Sequence, residues 1–149
     1  MKLNYKEILE YQQNRDPYLL IDCATKIIPG VSSCGYKDLD KEWFFDVHWP
    51  GDPNMPGMLQ IEALVQMASL SILTLPGHKG KIMYLVSADK LKFYRKIIPG
   101  DKLILETSVL SWKRGIGKFL GKGLVKDKTA FKGSFSLVLP DEISQFKII

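Results

Sequence analysis

Hydrophobic positions along the chain change their spacing twice. Near the start, Tyr5, Ile8, Leu9 and Tyr11 recur at helical intervals behind Asn4, and Glu7 stands three residues after that asparagine. This is the arrangement of a capping box, so a short helix is expected there, ended before Pro17. Tyr18 to Ile28 and Trp43 to Val47 are apolar-rich runs near turn residues and predict strands. From Gly57 to Leu75 the pattern is different: Met58, Leu59, Ile61, Ala63, Leu64, Val65, Met67 and Ala68 lead into Leu70, Ile72, Leu73 and Leu75, which leaves no polar face. The run is too long for a strand and is rich in Ala, Leu, Met and Gln, so it predicts a helix buried on all sides.

After Pro76-Gly77 the period becomes two. Leu103, Leu105, Thr107 and Val109 alternate with more polar neighbours, Phe119 to Val125 interleaves with lysines, and Phe131, Gly133, Phe135, Leu137 and Leu139 alternate with Lys132, Ser134 and Ser136. Arg114-Gly115-Ile116-Gly117 and Lys126-Asp127-Lys128 supply hairpin turns, and Pro-Gly pairs at 29–30, 50–51, 56–57, 76–77 and 99–100 mark element boundaries. Long antiparallel strands with one wholly apolar helix predict an α+β architecture, a single strongly bent sheet wrapped on that helix. No repeat or linker interrupts the pattern, and 149 residues suffice for one core, so a single domain over 1–149 is expected.

Composition adds limits. With 46% hydrophobic and 25% charged residues the chain reads as an ordinary folded domain and not a disordered one. The least charged stretch, Pro53 to Pro76, contains Glu62 and several polar residues, which disfavours a membrane span. The net charge of +5 is unevenly placed: residues 1–78 carry six basic against ten acidic side chains, and residues 79–132 carry fourteen against four. A partner for the basic half should be anionic. Nucleic acid is disfavoured, since no basic-aromatic motif of the known modules appears. Cys23, Cys34, His48 and His78 lack the spacing of a zinc site, so no metal is expected. The first residues, Met1-Lys2-Leu3-Asn4-Tyr5-Lys6, lack the apolar run of a signal peptide, so a cytoplasmic location with free thiols is expected.

Candidate chemistry clusters within fifteen residues. Glu62 is the only ionisable side chain of the apolar helix, where a carboxylate is costly to keep charged and tends to hold its proton. Such a carboxyl can act as a general acid, with Gln66 one turn later to orient it; a structural Glu paired with a basic residue of the sheet is the alternative. His48 lies at the end of the expected strand, before two rigid Pro-Gly turns, and can serve as a base, although a single His is also common as a surface or core residue. Gly57 opens the helix, where unpaired N–H groups can support a developing oxyanion.

These residues lie in His48-Trp49-Pro50-Gly51-Asp52-Pro53-Asn54-Met55-Pro56-Gly57-Met58-Leu59-Gln60-Ile61-Glu62-Ala63-Leu64-Val65-Gln66. The segment resembles the signature H-F-P-G-x-P-x-M-P-G-V-L-x-x-E-A-x-x-Q of the β-hydroxyacyl-acyl carrier protein dehydratases of type II fatty acid synthesis. The likeness extends to Arg15 to Asp22, Phe93 to Asp101 and Lys113 to Phe119, so it covers nearly the whole chain. It implies a hot-dog fold and a homodimer, with further assembly into hexamers, in which the His and the helix Glu of one site come from opposite subunits. It implies removal of water from a (3R)-3-hydroxyacyl thioester to give the trans-2-enoyl product. His48 would take the C2 proton, the Gly57 N–H would support the carbonyl oxygen, and Glu62 would protonate the leaving hydroxyl. No cofactor is implied, because the thioester is the electron sink. Glu at the helix position favours the branch that dehydrates without isomerising.

Two positions depart from the signature: Val47 stands where Gly is usual before the His, and Trp49 where Phe is usual after it. Activity is expected to survive them, with an effect on preferred chain length. The resemblance also gives the basic half a use, since acyl carrier proteins are acidic and Lys92, Arg95 and Lys96 flank a segment near the implied tunnel mouth. The competing functions are a thioesterase of the same fold, which would not require His48 and Gly57 in this arrangement, and a non-catalytic acyl-binding module.

Overall fold

Asn4 caps the first helix as its spacing foretells: the Glu7 N–H donates to Asn4 Oδ1 at 2.9 Å and the Asn4 N–H to Glu7 Oε1 at 3.0 Å. In the computed structural model, which describes residues 1–143, this helix, α1, spans Tyr5–Tyr11. Of the single domain expected over 1–149, residues 144–149 lie outside the described part. There follow β1 (Cys23–Ile28), β2 (Ser32–Asp38), α2 (Trp43–Val47), α3 (Gly57–Leu73), β3 (Tyr84–Phe93), β4 (Lys102–Lys113), β5 (Ile116–Val125) and β6 (Lys128–Val138). The strands form one antiparallel sheet in the order β1-β2-β4-β5-β6-β3, and α3 packs on β2, β4, β5 and β6. A long central helix held by an antiparallel sheet is the expected hot-dog arrangement.

From Ile61 to Leu73 every residue of α3 except Glu62 is buried or nearly so. Full burial of a Leu or Ile is worth about 1.5–3 kcal/mol, several times any intrinsic helix propensity, so packing holds this helix in place. Its serines are satisfied locally: Ser69 Oγ donates to the Val65 carbonyl and Ser71 Oγ to that of Ala68. The helix stops at Leu73, two residues before the expected end, with Thr74 Oγ1 donating to the Leu70 carbonyl at 2.7 Å. Both late hairpins turn on two residues with positive φ, Arg114 and Gly115 (52° and 78°) and Lys126 and Asp127 (51° and 64°). This is the twist-matched turn type, so Ile116, Gly117 and Lys128 already belong to strands.

Two expected strands are corrected. Trp43–Val47 is a helical turn, which buries the adjacent aromatics Phe44 and Phe45 together and leaves Trp43, Asp46 and Val47 exposed. Of the run Tyr18–Ile28, only Cys23–Ile28 is a strand. Leu19, Leu20 and Ile21 are buried in succession, and the backbone around them pairs with a helix side chain instead of a neighbouring strand: the Leu20 N–H donates to Gln66 Oε1 at 2.7 Å, and Gln66 Nε2 donates to the Tyr18 carbonyl at 2.9 Å.

Candidate active site

His48 is the C-cap of α2, not the end of a strand, and its N–H donates to the Phe44 carbonyl at 2.9 Å. Its ring nitrogen Nδ1 lies 3.1 Å from the Asn54 carbonyl oxygen. A carbonyl only accepts, so Nδ1 carries the proton and Nε2 keeps the lone pair of a base. The ring stacks on Trp49, with centroids 4.3 Å apart and planes 17° from parallel. Trp49 thus supplies an aromatic wall, and Val47 fits as an exposed residue of the helical turn, where a side chain is tolerated.

The loop that aims the imidazole is pinned at several points. Asn54 Nδ2 donates to the Asp52 carbonyl at 2.7 Å, the Met55 N–H to the Ile97 carbonyl at 2.8 Å, and Gln60 Nε2 to the Met55 carbonyl at 2.9 Å. Gln60, buried on the first turns of α3, is a site residue that the sequence reading missed, since polar residues in an apolar helix carry no sign of what they bond.

Gly57 is the first residue of α3, behind the cap Pro56. Its N–H has no intrahelical partner, as for every first-turn donor, and among the described residues no other acceptor takes it. A Cβ here would stand 3.0 Å from the Phe93 ring at the end of β3, so glycine allows that close approach.

Glu62 lies one turn further. Burial raises its carboxyl above the ordinary carboxylate range, and the hydrogen bond from Gln66 Nε2 to Glu62 Oε1, 3.0 Å, partly offsets this by favouring the ionised form. No basic side chain pairs with Glu62 among the described residues, so the structural alternative, a salt bridge to the sheet, is not what surrounds it. Gln66 does more than orient Glu62: it also carries the Tyr18–Leu20 backbone, and its own carbonyl accepts from Gln12 Nε2. The Tyr18 phenol titrates higher than usual, first through burial and then through the charge of Glu62, which places it among the neighbours of that carboxyl.

The three basic residues expected at the tunnel mouth separate. Lys96 is ion-paired with Asp52 at 2.8 Å, Arg95 is exposed beyond β3, and Lys92 sits on β3 opposite Lys132. No hydrogen bond joins His48 to Glu62 within the protomer among the described residues. No group of three His, Cys, Asp or Glu in that part of the chain converges to hold a metal.

The profile of the FabA-like domain matches residues 14–134. The chain belongs to the FabA-like family. Relatives of this FabA-like chain include the "3-hydroxyacyl-[acyl-carrier-protein] dehydratase FabZ" of Alkaliphilus metalliredigens, 40% identical over 95% of this chain and 98% of the relative. The protein of the same name from Clostridium novyi is 45% identical over 79% of this chain and 85% of its own length. Among solved structures, the dehydratase heterocomplex ApeI:P from Xenorhabdus doucetiae superposes with a TM-score of 0.79, covering 93% of this chain and 95% of that one at 14% identity, a likeness of fold.

Proposed function

We infer that this protein is a 3-hydroxyacyl-[acyl-carrier-protein] dehydratase of fatty acid biosynthesis, a hydro-lyase. The observation that carries the reading is the coexistence of a histidine whose Nε2 is left free as a base and a carboxyl whose hold on its proton is strengthened by burial. Relatives named for that activity match nearly the whole chain.

In the forward direction His48 Nε2 takes the proton from C2, which the thioester carbonyl acidifies, while the Gly57 N–H supports charge building on that oxygen. The C2–H electrons form the C2–C3 double bond, the C3–O bond breaks, and Glu62 gives its proton to the departing hydroxyl, so water and the trans-2-enoyl thioester leave together. His48 then passes its proton back towards Glu62 through solvent.

We assign the two groups of one site to two chains. Support comes from β3, the edge strand of the sheet, which leaves Tyr84, Leu85, Val86 and Phe93 exposed with one side of its backbone unpaired. Such an apolar edge is a liability unless another strand covers it, and a second copy does so in a homodimer, which can assemble further to a hexamer. The partner in the reaction is an acidic acyl carrier protein, drawn to Arg95 with Lys92 and Lys96 beside it, in the cytoplasm. No helix among the described residues is long and apolar enough to cross a membrane.

The test follows both halves of the chemistry. Incubated with a crotonyl thioester, the protein should hydrate the 2,3 double bond, and with a carrier-linked 3-hydroxyacyl series it should form the enoyl product. Release of free thiol without hydration would assign a thioesterase, and turnover unchanged in His48→Ala would remove the histidine from the mechanism.

A further inference from the structure

On the face of the sheet turned away from α3 lies a groove of about 810 Å3, lined by neither His48 nor Glu62. Small-molecule sites occupy about 300–1,000 Å3, so its size suits a compact ligand better than a protein surface. Its lining is set by strand register. Lys122 on β5 is directly opposite Lys132 on β6, and Lys132 is directly opposite Lys92 on β3, so three ammonium groups form one row across adjacent strands. Like charges placed directly opposite one another destabilise a sheet. Glu106, opposite Lys122 on the far side, meets it at 3.6 Å and compensates one end of the row. Among the described residues no carboxylate comes within 4.0 Å of the amines of Lys132, Lys92 or Lys90.

Lys90 is an independent sign. Between Asp89 and Lys92 the register of β3 shifts against β6, and Lys90 takes a φ of 53°, a left-handed conformation that L side chains rarely adopt. This irregularity puts a fourth lysine on the wall of the same groove. Bulges of this kind commonly re-aim a side chain at a functional surface. Leu120, opposite Ser134, adds an apolar wall beside the row of lysines.

We propose that this groove binds the polyphosphate group of a small anion such as a nucleoside triphosphate. With Lys122 compensated by Glu106, the ammonium groups of Lys132, Lys92 and Lys90 remain, and a monovalent anion cannot neutralise three of them, whereas a chain of phosphates places several negative charges along the groove. The site is distinct from the dehydratase centre and does not depend on that assignment.

Titration of inorganic tripolyphosphate and, separately, ATP into the whole protein by calorimetry, at low and high salt, tests this. Both probes should bind, with affinity falling as salt rises, and the double variant Lys122→Gln/Lys132→Gln should bind at least tenfold more weakly. The same variant should melt higher than the wild type without ligand, and either probe should raise the melting temperature of the wild type only. Equal affinity for the two probes would show recognition of the polyphosphate alone, and tighter binding of ATP would show that the nucleoside also contacts the groove. Lys113→Gln/Arg114→Gln removes the same charge at the far hairpin and should leave binding intact. Absence of binding by either probe, or equal loss in the two double variants, would overturn the proposal. So would failure of both probes with loss of carrier-protein binding in Lys122→Gln/Lys132→Gln, which would make the groove a protein-docking surface.

Discussion

In the proposed mechanism Glu62 combines a catalytic proton with a stability cost, and pH separates the two. Burial raises its carboxyl in the folded protein, so the fold favours the protonated form. Stability from this group is therefore fully present below the unfolded carboxyl value, about 4.3, and is lost as pH rises through the raised folded value. Glu62→Gln keeps an acceptor for Gln66 and removes the penalty. It should melt above the wild type at pH 8, with the difference closing towards pH 4, while dehydration falls about 100-fold or more. A difference constant across pH would mean that the carboxyl is not its source. Gln66 allows a second test. Its hydrogen bond lowers the Glu62 value, so Gln66→Met should move the alkaline limb of kcat/KM to higher pH. The same change strands the Leu20 N–H and the Tyr18 carbonyl and should cost about 1–3 kcal/mol by chemical denaturation. An unmoved limb would show that another group sets it.

At the scale of elements, the first turns of α3 hold the loop that aims the His48 ring. Gln60→Leu should free the Met55 carbonyl and lower kcat roughly 10- to 100-fold. Nitrogen NMR of His48 distinguishes mispositioning from simple instability: the wild-type ring should report one tautomer, protonated at Nδ1, and the variant a mixture. That such a clamp went unseen in the sequence follows the same rule as the strands did. Elements whose side chains carry the periodicity, α3 and β4 to β6, were legible from it. β2 was not, because its inward positions are Ser33 and Gly35; a Cβ on Gly35 would stand 2.5 Å from Met67 Cε and 2.1 Å from the Cys23 carbonyl oxygen, so the approach of the helix forbids the apolar residues that would have marked a strand. α2 misled for the opposite reason, since its aromatic composition resembles a strand although both central rings face inward. In the site, His48, Gly57, Glu62 and Gln66 could be singled out from residue type and spacing, but the tautomer, the role of Gln60 and the nearness of Tyr18 depend on segments far apart in sequence.

For the whole molecule, the uneven charge bears on how substrate arrives. If the basic half steers an acidic carrier, the rate with carrier-bound substrate should fall as ionic strength rises, while the rate with a small uncharged thioester stays flat. Arg95→Gln should flatten the salt response more than Lys96→Gln, because the Lys96 amine is already held by Asp52. An equal response for both substrates would refute steering. The assembly can be tested without a structure of the dimer. If each site joins His48 of one chain to Glu62 of its partner, a mixed dimer of His48→Ala and Glu62→Gln chains contains one site with both groups lost and one with both intact. Refolding the two inactive variants together at equal concentration makes half of the dimers mixed, each with one working site of two, so activity should return to about a quarter of the wild-type level. Were both groups drawn from the same chain, no mixture would contain an intact site, and activity would stay at the level of the separate variants.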